Sequence, residues 1–344
     1  MYISNVSLIE KTKLNDGIVL IMTNLLSIKK MVRSSGLIQR LCSTKAPLDS
    51  SSPPPPAHTV KLIFIHHSCG GNWLKDNNGG LGHALRDNNY VVSDTNYGWG
   101  PVPRDGSDPI GSLTDIGHWW LWFRGPKSVE IMNAVYSESG RHVPYSRLTT
   151  DPGGKNRIVM FKSCFPNSEL KGNPDDPEPP IDANSLKGVA SGSEYHTVAN
   201  AKGIYIDVLS YFQQHQDTLF VVITAPPLIN PKYAGNARAF NQWLVNDWLK
   251  NYLYNNIAVF DFYNVLTTNS GSPKIHDLDK ETGNHHRWWN SAINHTVDTS
   301  GGAHDITAYP TSSGDDHPNK AGNQKATAEF IPLLNLAYNR WQAG

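Results

Sequence analysis

Apolar residues occur along the chain in short continuous runs and in longer segments with helical spacing. Five short runs, each followed by polar residues, predict β-strands. They are residues 60–66, 90–96, 157–163, 219–225 and 257–262. The first, fourth and fifth runs are apolar almost throughout, which is typical of strands covered on both faces.

Segments with helical spacing lie between these strands and after the last one. They are residues 79–88, 126–138, 196–215, 233–253 and 319–340, of which the first is the weakest. Regular alternation of strands and helices predicts a parallel sheet with helices on both faces. We therefore expect an α/β domain with a central five-stranded parallel sheet.

Reactive and flexible residues follow the predicted strands. They are His66 to Cys69, Tyr97, Gly98 and Gly100, then Ser163, Cys164 and Asn167, and finally Pro226, Pro227 and Asn230. A DDHPN turn presents His317 just before the last helix. Because ligands bind beyond the carboxyl ends of parallel strands, we expect serine, asparagine and histidine to converge at that edge.

The first 58 residues differ in pattern from the rest. Their apolar run at 17–28 is shorter than the roughly 20 residues of a membrane-spanning helix, so no transmembrane segment is predicted. Residues 29–45 are basic and lack acids, which suits an organelle transit peptide, a signal region starting at Met22 or Met31, or a disordered leader. Residues 46–59 are rich in Pro and Ser and predict an extended linker.

This pattern predicts a leader and linker at 1–58 followed by a domain at 59–344. The compartment stays open, and a secreted or periplasmic location is favoured over organelle targeting. The 30 basic and 30 acidic residues give a formal net charge of zero, so no nucleic-acid-binding surface is expected. The oligomeric state is also open.

Ser68, His317 and a neighbouring aspartate supply the groups of a serine hydrolase. A serine hydroxyl becomes nucleophilic when a histidine accepts its proton, and a carboxylate fixes the tautomer of that histidine. The oxyanion needs backbone N–H donors and an amide, which Asn167 can offer. As alternatives, Ser68 caps a helix and Asn167 is a plain turn residue.

The order of these blocks resembles the SGNH hydrolases, also called GDSL-type esterases and lipases. The resemblance runs from about residue 60 to the C-terminus and implies a flavodoxin-like three-layer fold and ester hydrolysis without a cofactor or metal ion. By position it implies a nucleophile at Ser68, a catalytic histidine at His317 and an oxyanion hole formed by Ser68, Gly98 or Gly100, and Asn167.

Three positions depart from the pattern of that family. His67 stands where the family has Asp, the SCFPN block lacks the usual glycine, and Gly314 lies at the usual place of the triad acid. Asp315 is preferred as the acid, because a residue adjacent to His317 cannot easily reach its ring. The alternatives are Asp316 and Asp305.

The cysteines and histidines leave two further possibilities open. Cys69 and Cys164 follow strands that are neighbours in the implied fold, so they are either a disulfide or two buried thiols. A metal site is suggested by His66, His67, His285, His286, His295 and His304. However, adjacent strand residues point to opposite faces, so His66 and His67 cannot easily share one ion.

Aromatic clusters at 118–123 and 285–289 suggest the substrate class, because aromatic rings stack on sugars as well as filling cores. Weak substrate contacts are expected from His67, Trp119, Trp288 and Trp289, with an aromatic and His-rich insertion at about 268–312 beside the site. The leading hypothesis is a carbohydrate O-acetyl esterase or short-chain carboxylesterase acting on a carbohydrate or small-molecule ester. The alternatives are a non-catalytic glycan-binding protein on a degenerate hydrolase scaffold and a metal-dependent hydrolase.

Overall fold

The five predicted strands form one parallel sheet. A computed structural model describes residues 52–267, 277–298 and 305–344, within the unit Ser50–Gly344. The strands are β1 (Val60–Ile65), β2 (Tyr90–Thr95), β3 (Ile158–Lys162), β4 (Leu219–Ile223) and β5 (Ile257–Phe260). Their order is β2-β1-β3-β4-β5, and every neighbouring pair is parallel. The predicted five-stranded parallel sheet is confirmed.

Helices cover both faces of this sheet. They are α1 (Ser68–Leu74), α2 (Leu81–Asp87), α3 (Trp119–Phe123), α4 (Ser128–Ser137), α5 (Val198–Gln214), α6 (Ala234–Asn246), α7 (Phe262–Val265) and α8 (Lys320–Gln342). The short helices α1, α3 and α7 were not predicted. None of the helices in the described ranges is long and apolar enough to cross a membrane.

The two faces of β1 show how the three layers pack. Side chains alternate along a strand, so Ile63 and Ile65 join the core under α3, α4, α5 and α6. Leu62 and Phe64 face the opposite core under α1, α2, α7 and α8. All six residues of β1 are buried, as expected for a strand between two neighbours in a three-layer α/β fold.

A two-stranded hairpin lies within the described part of the predicted insertion. Strands β6 (His285–Trp289) and β7 (Ala292–Thr296) are antiparallel, and Asn290 and Ser291 connect them with φ values of 48° and 61°. Two consecutive residues with positive φ are typical of the tight turn that matches strand twist. The hairpin packs against α7 and α8.

Buried charges connect this hairpin to α8. The Lys325 ammonium lies 2.6 Å from Asp277, and the Glu329 carboxylate lies 2.7 Å from the His285 ring. The other oxygen of Glu329 accepts a hydrogen bond from the His286 backbone N–H at 2.8 Å. Since these charges are withdrawn from water, each depends on its partner.

Part of the Pro-rich segment lies against the domain. Three of its backbone carbonyls accept hydrogen bonds from asparagine side chains of α8 and of the turn before β2. The pairs are Pro53 with Asn335, Pro54 with Asn339, and Pro56 with Asn89. These contacts place residues 53–56 within the folded unit.

Replacing Lys325 with Met should destabilise the domain strongly. The substitution leaves the carboxylates of Asp277 and Glu329 buried beside an apolar side chain, and breaking a buried ion pair from one side typically costs about 3–5 kcal/mol. Urea denaturation measures the change in free energy of unfolding. The matched control is Lys320→Met, at an exposed position in the first turn of α8. Equal stabilities of the two variants would contradict the prediction.

Candidate active site

Ser68 lies at the junction between β1 and α1. The strand ends at Ile65, and the first helical hydrogen bond runs from the Gly71 N–H to the His67 carbonyl at 2.9 Å. A Cβ at position 70 would lie 2.4 Å from the His66 Cβ, so only glycine permits this close approach. The tight turn leaves the Ser68 side chain partly exposed at the carboxyl edge of the sheet.

His317 meets Ser68 from the turn before α8. Its Nε2 lies 2.8 Å from the Ser68 hydroxyl oxygen. The Asn319 side chain accepts a hydrogen bond from the Gly322 N–H and so caps α8 just after this histidine. The Phe165 ring packs edge-on against the imidazole at a centroid distance of 5.0 Å. These contacts orient the ring so that Nε2 can accept the serine proton.

Asp315 is the candidate acid that lies beside His317. One of its carboxylate oxygens lies 3.3 Å from Nδ1 of the histidine and accepts hydrogen bonds from the His317 N–H and the Thr311 hydroxyl, both at 2.9 Å. The backbone hydrogen bond from His317, followed by that from Thr311, lowers the pKa of Asp315. An ionised carboxylate at this place favours the tautomer with a proton on Nδ1.

The two alternative acids have other partners. Asp316 accepts a hydrogen bond from the Ile229 N–H at 2.7 Å. Asp305 forms an ion pair with the guanidinium of Arg238, also at 2.7 Å. The geometry therefore favours Asp315.

The roles assigned to these residues rest on their geometry in this chain. Comparisons with family models, with curated proteins and with solved structures found no match. Any function therefore has to be argued from the contact between Ser68 and His317 and from the position of Asp315 next to the histidine ring.

Asn167, one of the expected oxyanion donors, is already fully hydrogen-bonded. Its amide nitrogen donates to Asp115 at 2.7 Å and to the Cys164 carbonyl at 3.3 Å. Its oxygen accepts from the Ile116 N–H at 2.8 Å, and only 1% of the residue is exposed. In this arrangement the amide offers no free hydrogen to an oxyanion.

The backbone N–H of Gly98, the other expected donor, also has a hydrogen-bond partner. It has a φ of 74°, and its N–H donates to the Ser112 hydroxyl at 2.9 Å. Gly100 follows with a φ of 82°. The oxyanion roles of Gly98 and Asn167 therefore have no support from this geometry, whereas Ser68 brings its own backbone N–H.

The buried ring of His66 stabilises the turn before Ser68 through two hydrogen bonds. Nδ1 of this fully buried ring lies 2.8 Å from the His67 carbonyl, and Nε2 lies 3.1 Å from the Asp94 carboxylate. Both partners of the ring are hydrogen-bond acceptors. The opposite oxygen of Asp94 accepts from the Tyr145 hydroxyl at 2.9 Å. This network links the end of β1 to that of β2.

His67 packs against Tyr97, an aromatic residue that the sequence did not single out as functional. Its Nε2 donates to the Gly111 carbonyl at 2.7 Å, and its ring stacks on Tyr97 at a centroid distance of 3.9 Å. Burial lowers the pKa of His67, which favours the neutral ring. The only sequence signal for Tyr97 was its position directly after a strand.

The expectation that Trp119 contacts substrate is wrong. The residue is fully buried in the core, its indole N–H donates to the Ser163 hydroxyl at 3.0 Å, and its ring packs on Phe161. Trp288 and Trp289 lie on β6, where Trp288 packs against the core under α8 and the guanidinium of Arg287 covers Trp289. Trp119 therefore has a structural role, whereas substrate contacts by the half-buried Trp288 and Trp289 stay a prediction.

In the described ranges, the histidines of the insertion form hydrogen bonds with other residues of the domain. His295 donates to the buried carboxylate of Asp261 at 3.0 Å, and His286 accepts from the Asp261 N–H at 2.9 Å. Burial lowers the pKa of His286 to about 3. His304 lies outside the described residues. Within those residues, no group of three or more His, Cys, Asp or Glu side chains could hold a metal ion.

Cys69 and Cys164 are two free buried thiols beside the candidate nucleophile. Burial raises the pKa of Cys69, and a hydrogen bond from Cys69 lowers the pKa of Cys164. The Cys164 sulfur lies 3.7 Å from the Ser68 hydroxyl oxygen. Both cysteines are therefore thiols, and the Cys164 sulfur lies next to Ser68.

Alkylation of the unfolded protein without reductant should label both cysteines completely. In the folded protein the same reagent should react slowly, because both side chains are buried. Peptide mass spectrometry reads the labels at Cys69 and Cys164 separately from the third cysteine, Cys42. A sample reduced before alkylation provides the control. A peptide pair joined through Cys69 and Cys164 in the unreduced sample would show a disulfide instead.

Proposed function

We propose that this domain is a serine ester hydrolase of the SGNH type. The observation that carries the proposal is the distance of 2.8 Å between the Ser68 hydroxyl and His317 Nε2, with Asp315 at the opposite ring nitrogen. An isolated serine at a helix start is an ordinary cap. A serine whose hydroxyl meets a carboxylate-backed histidine can be activated as a nucleophile.

The mechanism follows from these three groups. Ser68 Oγ attacks the carbonyl carbon of an ester while its proton moves to His317 Nε2, and the carbonyl π electrons become the oxyanion. When the intermediate collapses, the bond to the alcohol oxygen breaks and His317 protonates that oxygen. Water then attacks the acyl-serine, His317 takes its proton, and the acid leaves as the Ser68 hydroxyl is restored. Asp315 stabilises the imidazolium at both stages.

The surroundings of Ser68 support a short acyl group. Ser68 is half-buried, its hydroxyl lies 3.7 Å from the Cys164 sulfur, and the Phe165 ring packs on His317 beside it. A cavity of about 350 Å³ lies beside β5 and is lined by residues other than Ser68 and His317. A small acyl group such as acetyl fits a surface site. Esters of carbohydrates or of other small alcohols are the proposed substrates.

The amide of Asn167 and the N–H of Gly98 already have hydrogen-bond partners, so neither is free for an oxyanion. This favours a second candidate function, a glycan-binding protein without catalysis. A fluorophosphonate probe separates the two functions, because it reacts only with an activated serine. Covalent labelling at Ser68 supports the esterase, whereas sugar binding without labelling supports the binding protein.

Replacing Ser68 with Ala should abolish hydrolysis of p-nitrophenyl acetate, because no other group supplies the attacking oxygen. Loss of a triad nucleophile lowers kcat by up to about 10⁶-fold in a well-studied serine protease. Initial rates at saturating substrate measure the effect. The control is Ser137→Ala at an exposed position of α4, which should keep the rate of the parent protein. Undiminished turnover by Ser68→Ala would rule out the proposed nucleophile.

Replacing Asp315 with Asn should lower kcat by about 10- to 100-fold. We expect less than the roughly 10⁴-fold loss known for a buried triad aspartate, because half of the Asp315 side chain is exposed. The matched control is Asp316→Asn, whose amide oxygen can still accept from the Ile229 N–H. Loss of activity in the control but not in Asp315→Asn would assign the triad acid to Asp316.

A further inference from the structure

The cavity of about 350 Å³ beside β5 lies at an open edge of the sheet. β5 is the last strand in the sheet order, and its residues Ile257, Ala258 and Val259 are only half-buried. Ile257 and Val259 pack against the core under α6, and Ala258 packs against the core under α8. The cavity therefore borders both helical layers, and an apolar ligand bound there removes apolar surface from water.

This cavity is separate from the candidate active site. Ser68 follows β1, and the strands β3 and β4 lie between β1 and β5 in the sheet. Neighbouring strands are about 4.8 Å apart, so β5 lies about 14 Å from β1. Neither Ser68 nor His317 lines the cavity. A ligand bound beside β5 therefore leaves the Ser68 site open.

Three further segments supply apolar walls. They are the end of α6 with the residues after it, strand β7, and α8, which contribute Val245, Leu249, Ile293, Leu333 and Leu336. Ile293 is 43% exposed, so part of its side chain is available to a ligand. Aliphatic walls with few polar groups are typical of sites that hold the apolar part of a small molecule.

The polar residues of the cavity fall into two groups. His286 and His295 form hydrogen bonds with Asp261 at 2.9 and 3.0 Å. Asn255 and Arg340 line the cavity with exposed side chains, and neither has a hydrogen-bond or ion-pair partner among the described residues. A guanidinium without a carboxylate partner in the domain complements an anion, and it can bind a carboxylate through two parallel hydrogen bonds.

The volume of the cavity limits its occupant to a small molecule. Ligand sites in proteins typically measure about 300–1,000 Å³, and an engineered apolar cavity of about 150 Å³ binds benzene. At the same volume per atom, the cavity of about 350 Å³ accommodates about a dozen non-hydrogen atoms. A carboxylate with a chain of about ten carbons has that size.

We propose that the cavity beside β5 binds a small amphipathic carboxylate. Its hydrocarbon chain lies along the apolar walls, and its carboxylate accepts hydrogen bonds from the Arg340 guanidinium and the Asn255 amide on the solvent side. The walls bind the chain and the cation binds the charge, so neither a short acid nor an uncharged chain uses both parts of the site. The inference does not depend on the proposed esterase function.

Equilibrium dialysis of radiolabelled decanoate against the full chain tests this site. We expect a dissociation constant below about 1 mM. Decanol, which keeps the chain without the carboxylate, should bind at least about tenfold more weakly. Labelled acetate, which keeps the carboxylate without the chain, should not bind at the same concentrations.

Arg340→Gln should raise the dissociation constant of decanoate at least about tenfold, because it removes a charged hydrogen-bond partner. The matched control is Lys320→Gln, which removes the same charge from an exposed position of the same helix, about 30 Å away. This variant should bind decanoate as the parent protein does. Ala337→Phe places a ring in the cavity that Ala337 lines and should abolish binding.

Three results would overturn the inference. They are no binding of decanoate at 1 mM, equal affinities of Arg340→Gln and the parent protein, and unchanged binding by an Ala337→Phe variant that keeps the melting temperature of the parent. If Ala337→Phe does not fold, the comparison of Arg340→Gln with Lys320→Gln still decides. Hydrolysis of p-nitrophenyl acetate is measured separately, so failure of this site and failure of the proposed function are distinguishable.

Discussion

The hydrogen bond between Ser68 and His317 joins residues 249 positions apart in the chain, and it can form only if the first strand and the last helix share one edge of the sheet. α8 lies in the same layer as α1 and is tied to it by hydrogen bonds. The Thr327 hydroxyl accepts from the Trp73 indole and donates to the Gly79 carbonyl. With α1 and α8 fixed to each other, the short segments that carry Ser68 and His317 have little freedom to separate.

Buried charged and polar groups reinforce the segments next to the site. His66 and Asp94 lie under the turn that carries Ser68, while Lys325 and Glu329 bind the hairpin to α8 behind His317. Such pairs add little net stability compared with well-packed apolar residues, yet they are costly to break from one side. Their contribution here is to fix the positions of the segments that they join. Each pair accepts one arrangement of the backbone near the site, so displacement of either catalytic segment leaves a buried group without its partner.

The sequence predicted those features of the fold and site that depend on local patterns of residues. Apolar runs located all five strands, and the positions of Ser68 and His317 relative to β1 and α8 brought them to one edge. The orientation of Asn167 could not be predicted, because it depends on Asp115, a partner 52 residues away. Trp119 was expected to contact substrate, because a short aromatic run does not show which of its rings pack against the sheet. The hairpin was missed because its Asn-Ser turn and polar strands resemble an irregular loop.

Two positions that differ from the expected family pattern, His67 and Asn167, have partners of their own on neighbouring loops. The aspartate expected before the nucleophile has no aromatic face, whereas the imidazole of His67 stacks on the phenol ring. Asn167 on the loop after β3 is committed to Asp115, so its amide is not free for an oxyanion in this arrangement. β2 and β3 flank β1, and Tyr97 follows β2. His67 therefore ties the turn that carries Ser68 to the loop after β2, and Asn167 ties the loop after β3 to Asp115.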